Sequence, residues 1–284
     1  MDVDATREAR NGALDHLTAG RALWSAAAMS NRVALVTGAS RGIGKRLCAD
    51  LAAAGYDVVC VARTSRATPG KLPGTVDESD DAVTRTGRRA MAVGLDVQDE
   101  TGIAALAARV YDDWGRCDLL VNNAAVAPPR PALADSVKRW RLAVDVNLNG
   151  PFYLMYHFCP RMAAAGGGRV VNVSSGAALT PSFGRPSYTA TKLALEGLTQ
   201  ALAHELAGRV AVNCIRIDMP IWTEGFDATL PEDFDTSEFE DSVIMSDAVL
   251  WLVRQPLDYT GHVLTLGELR AQGIVRPPTK AART

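Results

Sequence analysis

Metal-ligand spacing is missing from this sequence. Its four histidines (His16, His157, His204 and His262) lie far apart, so neither a structural nor a catalytic zinc is expected, and the predicted site holds no metal. A dense Lys/Arg run is missing too. The 30 basic residues face 32 acidic ones, for a formal net charge of -2, which argues against nucleic acid or an anionic membrane as the main partner. No apolar stretch reaches membrane-spanning length, and no internal repeat or Pro/Ser-rich linker divides the chain. The five cysteines (Cys48, Cys60, Cys117, Cys159 and Cys214) are odd in number, widely spaced and mostly inside apolar runs. They read as buried free thiols in a reducing compartment, the cytoplasm, and not as a disulfide framework.

What is present suits a globular α/β protein: 284 residues, 48% hydrophobic and 22% charged. Residues 1–31 mix acids, bases and alanines without the apolar core of a signal peptide, and are expected to be a translated leader, an arm or a short helix. From Val33 short β-branched runs alternate with longer helical patterns. Strands are predicted at 32–37, 57–62, 90–95, 118–122, 169–174, 209–217 and 262–266. Helices are predicted at about 42–54, 76–87, 99–114, 136–164, 187–207 and 242–254. This alternation predicts one α/β domain over 32–268, a doubly wound (Rossmann) parallel sheet of about seven strands with helices on both faces, followed by a tail over 269–284. Its ligand crevice belongs at the carboxyl ends of the strands.

The first strand runs straight into Gly38-Ala-Ser-Arg-Gly-Ile-Gly44. Glycines at 38, 42 and 44 let the backbone bend and let an anion approach, and the helix starting near Gly42 points free N–H groups and its positive dipole end at that anion. Two rival readings share these residues. Gly38-Ala-Ser-Arg-Gly42 matches a nucleophile elbow with Ser40 as nucleophile, but only one short segment precedes Val33 where a hydrolase of that kind needs several strands and an oxyanion loop. A triphosphate-binding loop would need glycine at Ala39 and Ser or Thr at Arg46. A phosphate cradle for a dinucleotide is therefore the leading reading. The second strand ends in Ala62-Arg63, where an acid would bond an adenosine ribose hydroxyl. Arg63, joined by Arg41 in the turn, suits a 2′-phosphate instead, so NADP is favoured over NAD. Asp96 and Val97 end the third strand, with Asp96 placed to bond an adenine amino group. Asn122, Asn123 and Ala124 end the fourth, the two asparagines as braces of the strand end.

The chemistry is carried by Ser174-Ser175 after the fifth strand, Tyr188-Thr-Ala-Thr-Lys192 in a helical run, and Asn147. Tyr188 and Lys192 are one turn apart on one helix face. A free tyrosine has a pKa of about 10, and an adjacent ammonium favours its phenolate, which makes Tyr188 a candidate acid/base for a carbonyl/alcohol pair.

Together these residues resemble the classical short-chain dehydrogenase/reductase family over about residues 32–266. The matching motifs are Thr37-Gly-Ala-Ser-Arg-Gly-Ile-Gly44, Asp96, Asn122-Asn-Ala-Ala125, Asn147, Ser175 and Tyr188-x3-Lys192. The resemblance implies Tyr188 as acid/base, Ser175 steadying the substrate, Lys192 on the nicotinamide-ribose hydroxyls, and Asn147 holding a water in a proton relay. Ser174 and Asn149 are the runners-up for the serine and asparagine positions. Thr223 is expected near the nicotinamide carboxamide, and a homodimer or homotetramer is implied. Lys71-Leu-Pro-Gly-Thr75 looks like the branch of hydroxysteroid-dehydrogenase-like and citronellol-type enzymes. Two departures stand out: Ile215-Arg-Ile-Asp-Met-Pro220 replaces the family's Pro-Gly, and Leu266-Gly-Glu-Leu269 replaces its Asp-Gly-Gly. Residues 218–241 carry Trp222, Phe226, Leu230, Phe234 and Phe239 among Glu224, Asp227, Glu232, Asp233, Asp235, Glu238, Glu240 and Asp241. That composition predicts a lid with an apolar underside and an acidic field, and hence a neutral, largely apolar small-molecule substrate. A dinucleotide sensor without turnover is the alternative. It would keep the glycine turn and Arg63 but has no need of Ser175, Tyr188 and Lys192 together.

Overall fold

The computed structural model describes residues 32–127, 133, 136–181, 184–228, 230–231 and 233–280. The predicted extension 1–31 and Glu232 lie outside the described residues. Seven parallel strands form one sheet: β1 (Arg32–Thr37), β2 (Tyr56–Ala62), β3 (Ala90–Gly94), β4 (Leu119–Asn122), β5 (Gly168–Ser175), β6 (Val210–Ile217) and β7 (Val263–Thr265). Their order is β3-β2-β1-β4-β5-β6-β7. Strand order reverses at β1, so a crevice opens between the carboxyl ends of β1 and β4, as expected for a doubly wound sheet.

The central strands are buried on both faces, which explains their continuous apolar runs. Alternation then sorts the side chains into two cores. Ala34, Val36, Val58 and Cys60 face α1 (Gly42–Ala53), while Val33, Leu35, Val59 and Val61 face α3 (Glu100–Trp114). Leu47, Cys48 and Leu51 form the buried stripe of α1, and Ile103, Leu106, Ala107 and Val110 that of α3, both at helical spacing. Each such leucine or isoleucine contributes about 1.5–3 kcal/mol by leaving water. Asp99 Oδ1 accepts from Gly102 N at 2.9 Å to start α3, and Gly115 ends it in the left-handed conformation with φ 76°. Between β2 and β3, α2 (Val76–Thr84) is tied to the glycine turn by Ser79 Oγ, which donates to Ala39 O at 2.6 Å.

Two expectations need correction. The helix predicted over 136–164 is broken into α4 (Val137–Val144), a wide five-residue π-turn (Asp145–Asn149) and α5 (Gly150–Ala164). Pro151 has no N–H to return to the Asn147 carbonyl four residues back, so the α-helical ladder yields there. The predicted boundary at 268/269 falls inside a helix. After α6 (Pro186–Glu205), α7 (Glu224–Asp227) and α8 (Val243–Leu252), α9 (Leu266–Ala271) sets Leu269 wholly inside the core, and Val275 is buried beyond it. Residues taken as a tail thus help close the sheet's far edge. No helix among the described residues is long and apolar enough to cross a membrane.

Candidate active site

A cleft of about 350 Å³ opens at the carboxyl ends of the strands. Its floor is the turn between β1 and α1. Gly38 (φ 65°) and Gly42 (φ 54°) take the left-handed conformation, and a Cβ on Gly44 would lie 2.2 Å from Gly38 O. Side chains are excluded there by sterics. Thr37 Oγ1 locks this turn to β4 by accepting from Asn123 N at 3.0 Å and Ala124 N at 3.1 Å. Asn123 Nδ2 donates to Thr37 O at 2.8 Å, so the side chain braces the strand end. Asn122 does the same deeper in the sheet, donating to Asn172 Oδ1 at 2.8 Å.

Gly38, Ser40, Arg41, Gly42, Ile43 and Gly44 all border the cleft, as do Arg63, Asp96, Val97, Asn123, Ala124 and Thr223. Arg41 is already committed. Its Nε donates to Pro73 O at 2.7 Å and its Nη2 to Leu72 O at 2.9 Å, so the guanidinium splints the Lys71–Thr75 loop against the turn. Arg63 is more exposed, with Nη1 3.8 Å from Asp96 Oδ2. Asp96 also accepts from Gln98 N at 3.1 Å and Gln98 Nε2 at 3.0 Å.

At the opposite end, Tyr188 and Lys192 project from α6 into the cleft. Lys192 Nζ lies 5.5 Å from the centre of the Tyr188 ring and donates to Val173 O at 2.6 Å. The lysine is almost wholly buried (2% exposed). Strand β5 therefore fixes the ammonium beside the phenol. The helix is pinned one turn further on by Glu196, which accepts from Ser174 Oγ at 2.6 Å and from Arg216 Nη2 at 2.6 Å. That hydrogen bond holds the Arg216 guanidinium above its ordinary pKa.

These contacts separate the two serines. Ser174 is buried with its hydroxyl spent on Glu196, whereas half-buried Ser175 caps a short turn by accepting from Ala177 N at 3.3 Å. Neither Ser175 nor Asn147 borders the cleft. Asn147 is wholly buried, its Oδ1 accepting from Val126 N at 2.8 Å and its Nδ2 donating to Thr191 Oγ1 at 3.1 Å. Its side chain thus ties the π-turn to α6 and to the segment after β4.

The two departures from the family pattern meet each other. Asp218 Oδ1 accepts from Gly267 N at 3.1 Å, and a Cβ on Gly267 would lie 2.7 Å from Asp218 Oδ2. The altered loop after β6 still carries Thr223 to the cleft wall.

A family model, short chain dehydrogenase, matches residues 32–224. The chain belongs to the short-chain dehydrogenase family. Among its relatives is hydroxysteroid dehydrogenase-like protein 2 of Xenopus tropicalis, 31% identical over 237 residues, or 82% of this chain and 56% of that protein. The chain thus spans little more than half the length of that relative. Similar solved structures include a metagenomic short-chain oxidoreductase in complex with NADP, with 31% identity, a TM-score of 0.69 and coverage of 83% of this chain and 96% of that one. Another is a short chain dehydrogenase from Mycobacterium paratuberculosis bound to NAD, with 26% identity, a TM-score of 0.73 and coverage of 84% and 97%.

Sequence reasoning missed one group at this site. Glu224 Oε2 accepts from Gly42 N at 2.8 Å, although the sequence places Glu224 only among the acids of a lid. No local signal links residues so far apart along the chain. The lid aromatics also behave differently from an apolar underside, because Phe226 stacks on Phe239 (5.3 Å) and Phe234 meets Phe239 edge-on (6.2 Å). Two of the lid acids are neutralised, Glu240 by Arg270 and Asp241 by Arg46. The acidic field is weaker than composition suggests.

Proposed function

We propose that this member of an oxidoreductase family interconverts a ketone or aldehyde and its alcohol, using NADP in preference to NAD. The observation that carries the reading is Lys192 Nζ held against Val173 O and beside the Tyr188 ring at the mouth of a glycine-walled cleft. The residues present fit a dinucleotide: the turn excludes side chains where phosphates approach, and Arg41, Arg63 and Lys192 outnumber Asp96 on the cleft walls. A bound nicotinamide supplies or accepts the hydride. Tyr188 gives its phenolic proton to the carbonyl oxygen in reduction and takes it back in oxidation. Lys192, held beside the phenol, faces the ribose, and Ser175, next in the chain to the cleft-lining Ser174, donates to the substrate oxygen. Asn147, placed in the π-turn, keeps α6 and its Tyr188 in register, and its backbone suits a relay water.

The substrate we propose is neutral and largely apolar, in keeping with the exposed ring of Phe234 and the acidic composition of residues 223–241. Phe152 and Tyr156, in ring contact on α5, and Leu193 on α6 are exposed, and a second copy of the chain is the occupant we propose for them. Nicotinamide absorbance with a panel of ketones, aldehydes and secondary alcohols tests the reaction class. Turnover should fall about 100-fold or more in Tyr188→Phe with cofactor affinity nearly unchanged, while Lys192→Ala impairs both. Full turnover by Tyr188→Phe would remove the acid/base assignment, whereas cofactor binding with no turnover of any panel member would favour a sensing role.

A further inference from the structure

The first amide of α1 belongs to Gly42, and Arg41 in the capping position offers it no side-chain hydrogen bond. Its acceptor comes from the far end of the family domain: Glu224 Oε2, 2.8 Å away. Thr223 closes in beside it, since a Cβ on Gly42 would meet Thr223 Cγ2 at 2.9 Å. The contact is built, not incidental. Thr223 Oγ1 accepts from Phe226 N at 3.1 Å to start α7. Phe226 is held between the Phe239 ring and the Arg185 guanidinium, 5.3 and 5.5 Å from its own ring centre. Residues 223–226 therefore present a carboxylate to the positive end of α1 at the rim of the cleft.

We propose that Glu224 is a self-ligand of the phosphate cradle, a residue that sets cofactor affinity because the dinucleotide must displace its carboxylate from the Gly42 N–H. The proposal rests on the dinucleotide reading above. A carboxylate oxygen and a phosphate oxygen seek the same donor, and two anions cannot share it without strong repulsion. The chain with Glu224 docked is the state that does not bind a pyrophosphate, so the apparent affinity is lowered by the fraction of molecules in that state. Filling the cradle releases residues 223–226 from α1, which couples cofactor arrival to the position of Thr223 on the cleft wall.

Titration of the full chain with NADPH, followed by nicotinamide fluorescence, tests this in the unmutated protein, Glu224→Ala and Glu224→Gln. Glu224→Ala should bind roughly 10- to 150-fold tighter, the scale of one charge-assisted hydrogen bond. Glu224→Gln, neutral but still able to accept from Gly42, should fall between and decides the matter if the alanine variant does not fold. Binding by all three proteins with no tightening in either variant overturns the role of Glu224 alone. No binding by any of them overturns the dinucleotide reading and this proposal with it.

Discussion

Arg63 Nη1 stands 3.8 Å from Asp96 Oδ2 across the rim of the cleft, so the guanidinium that would read a 2′-phosphate already faces a carboxylate. Both side chains are substantially solvated, 59% and 35% exposed, and an ion pair of that kind is worth about 0–1 kcal/mol. A phosphate bearing more charge can compete for it. We expect NADP(H) to bind more tightly than NAD(H), and Arg63→Ala to narrow the gap by roughly 1.5 kcal/mol, the lower end for a charged hydrogen bond at an exposed site. Paired titrations with the two cofactors measure this. Equal affinities in the unmutated protein would defeat the charge argument.

Glu196 and Arg216 form a different kind of pair, with side chains only 6% and 17% exposed. Removing one partner strands the other. Glu196→Ala takes from the half-buried Arg216 guanidinium its carboxylate partner and from Ser174 Oγ its shorter acceptor, and should cost about 1–3 kcal/mol in denaturant unfolding. A loss below 1 kcal/mol would show that water reaches Arg216 and that the pair does not pin α6.

The pH dependence of stability follows from the thiols. Burial pushes Cys159 up to about 12, and burial, with the charge of Glu196 adding to it, does the same for Cys214. The unfolded chain deprotonates both at an ordinary thiol pKa of about 8.5. Above that value the unfolded state releases protons that the folded state keeps, so the stability these thiols confer is intact below about pH 8.5 and is lost toward pH 12. Unfolding free energies at pH 8, 9 and 10 should fall more gently in Cys159→Ala and Cys214→Ala, by up to about 1.4 kcal/mol per pH unit for each thiol removed. An unchanged slope would mean that the thiols titrate normally in the fold.

Phe152 and Tyr156 are 42% and 63% exposed on α5, and Leu193 is 49% exposed on α6. We expect multi-angle light scattering to give the mass of a dimer or tetramer at micromolar concentration, and Tyr156→Glu with Leu193→Glu to shift it toward the monomer. A monomeric unmutated chain would leave those rings facing solvent.

The order of strands and helices, the glycine turn and the Tyr188–Lys192 spacing were all legible in the residues, because each depends on neighbours within a few positions. Apolar runs buried on both faces identify parallel strands, and a helical turn brings residues four apart together in any fold. The break at 145–149 was locally encoded by Pro151 but was outweighed by the helical pattern on either side of it. Arg41 was readable as a cation at the turn, yet only tertiary structure could commit it to the carbonyls of Leu72 and Pro73. That the Ser174 hydroxyl is spent on a carboxylate likewise depends on Glu196 reaching across from α6. Asp218 meeting Gly267, and Glu224 capping Gly42, join residues 49 and 182 positions apart. Nothing in the local pattern marks either contact, because hydrogen bonds at that range are set by the path the chain takes once the sheet has assembled.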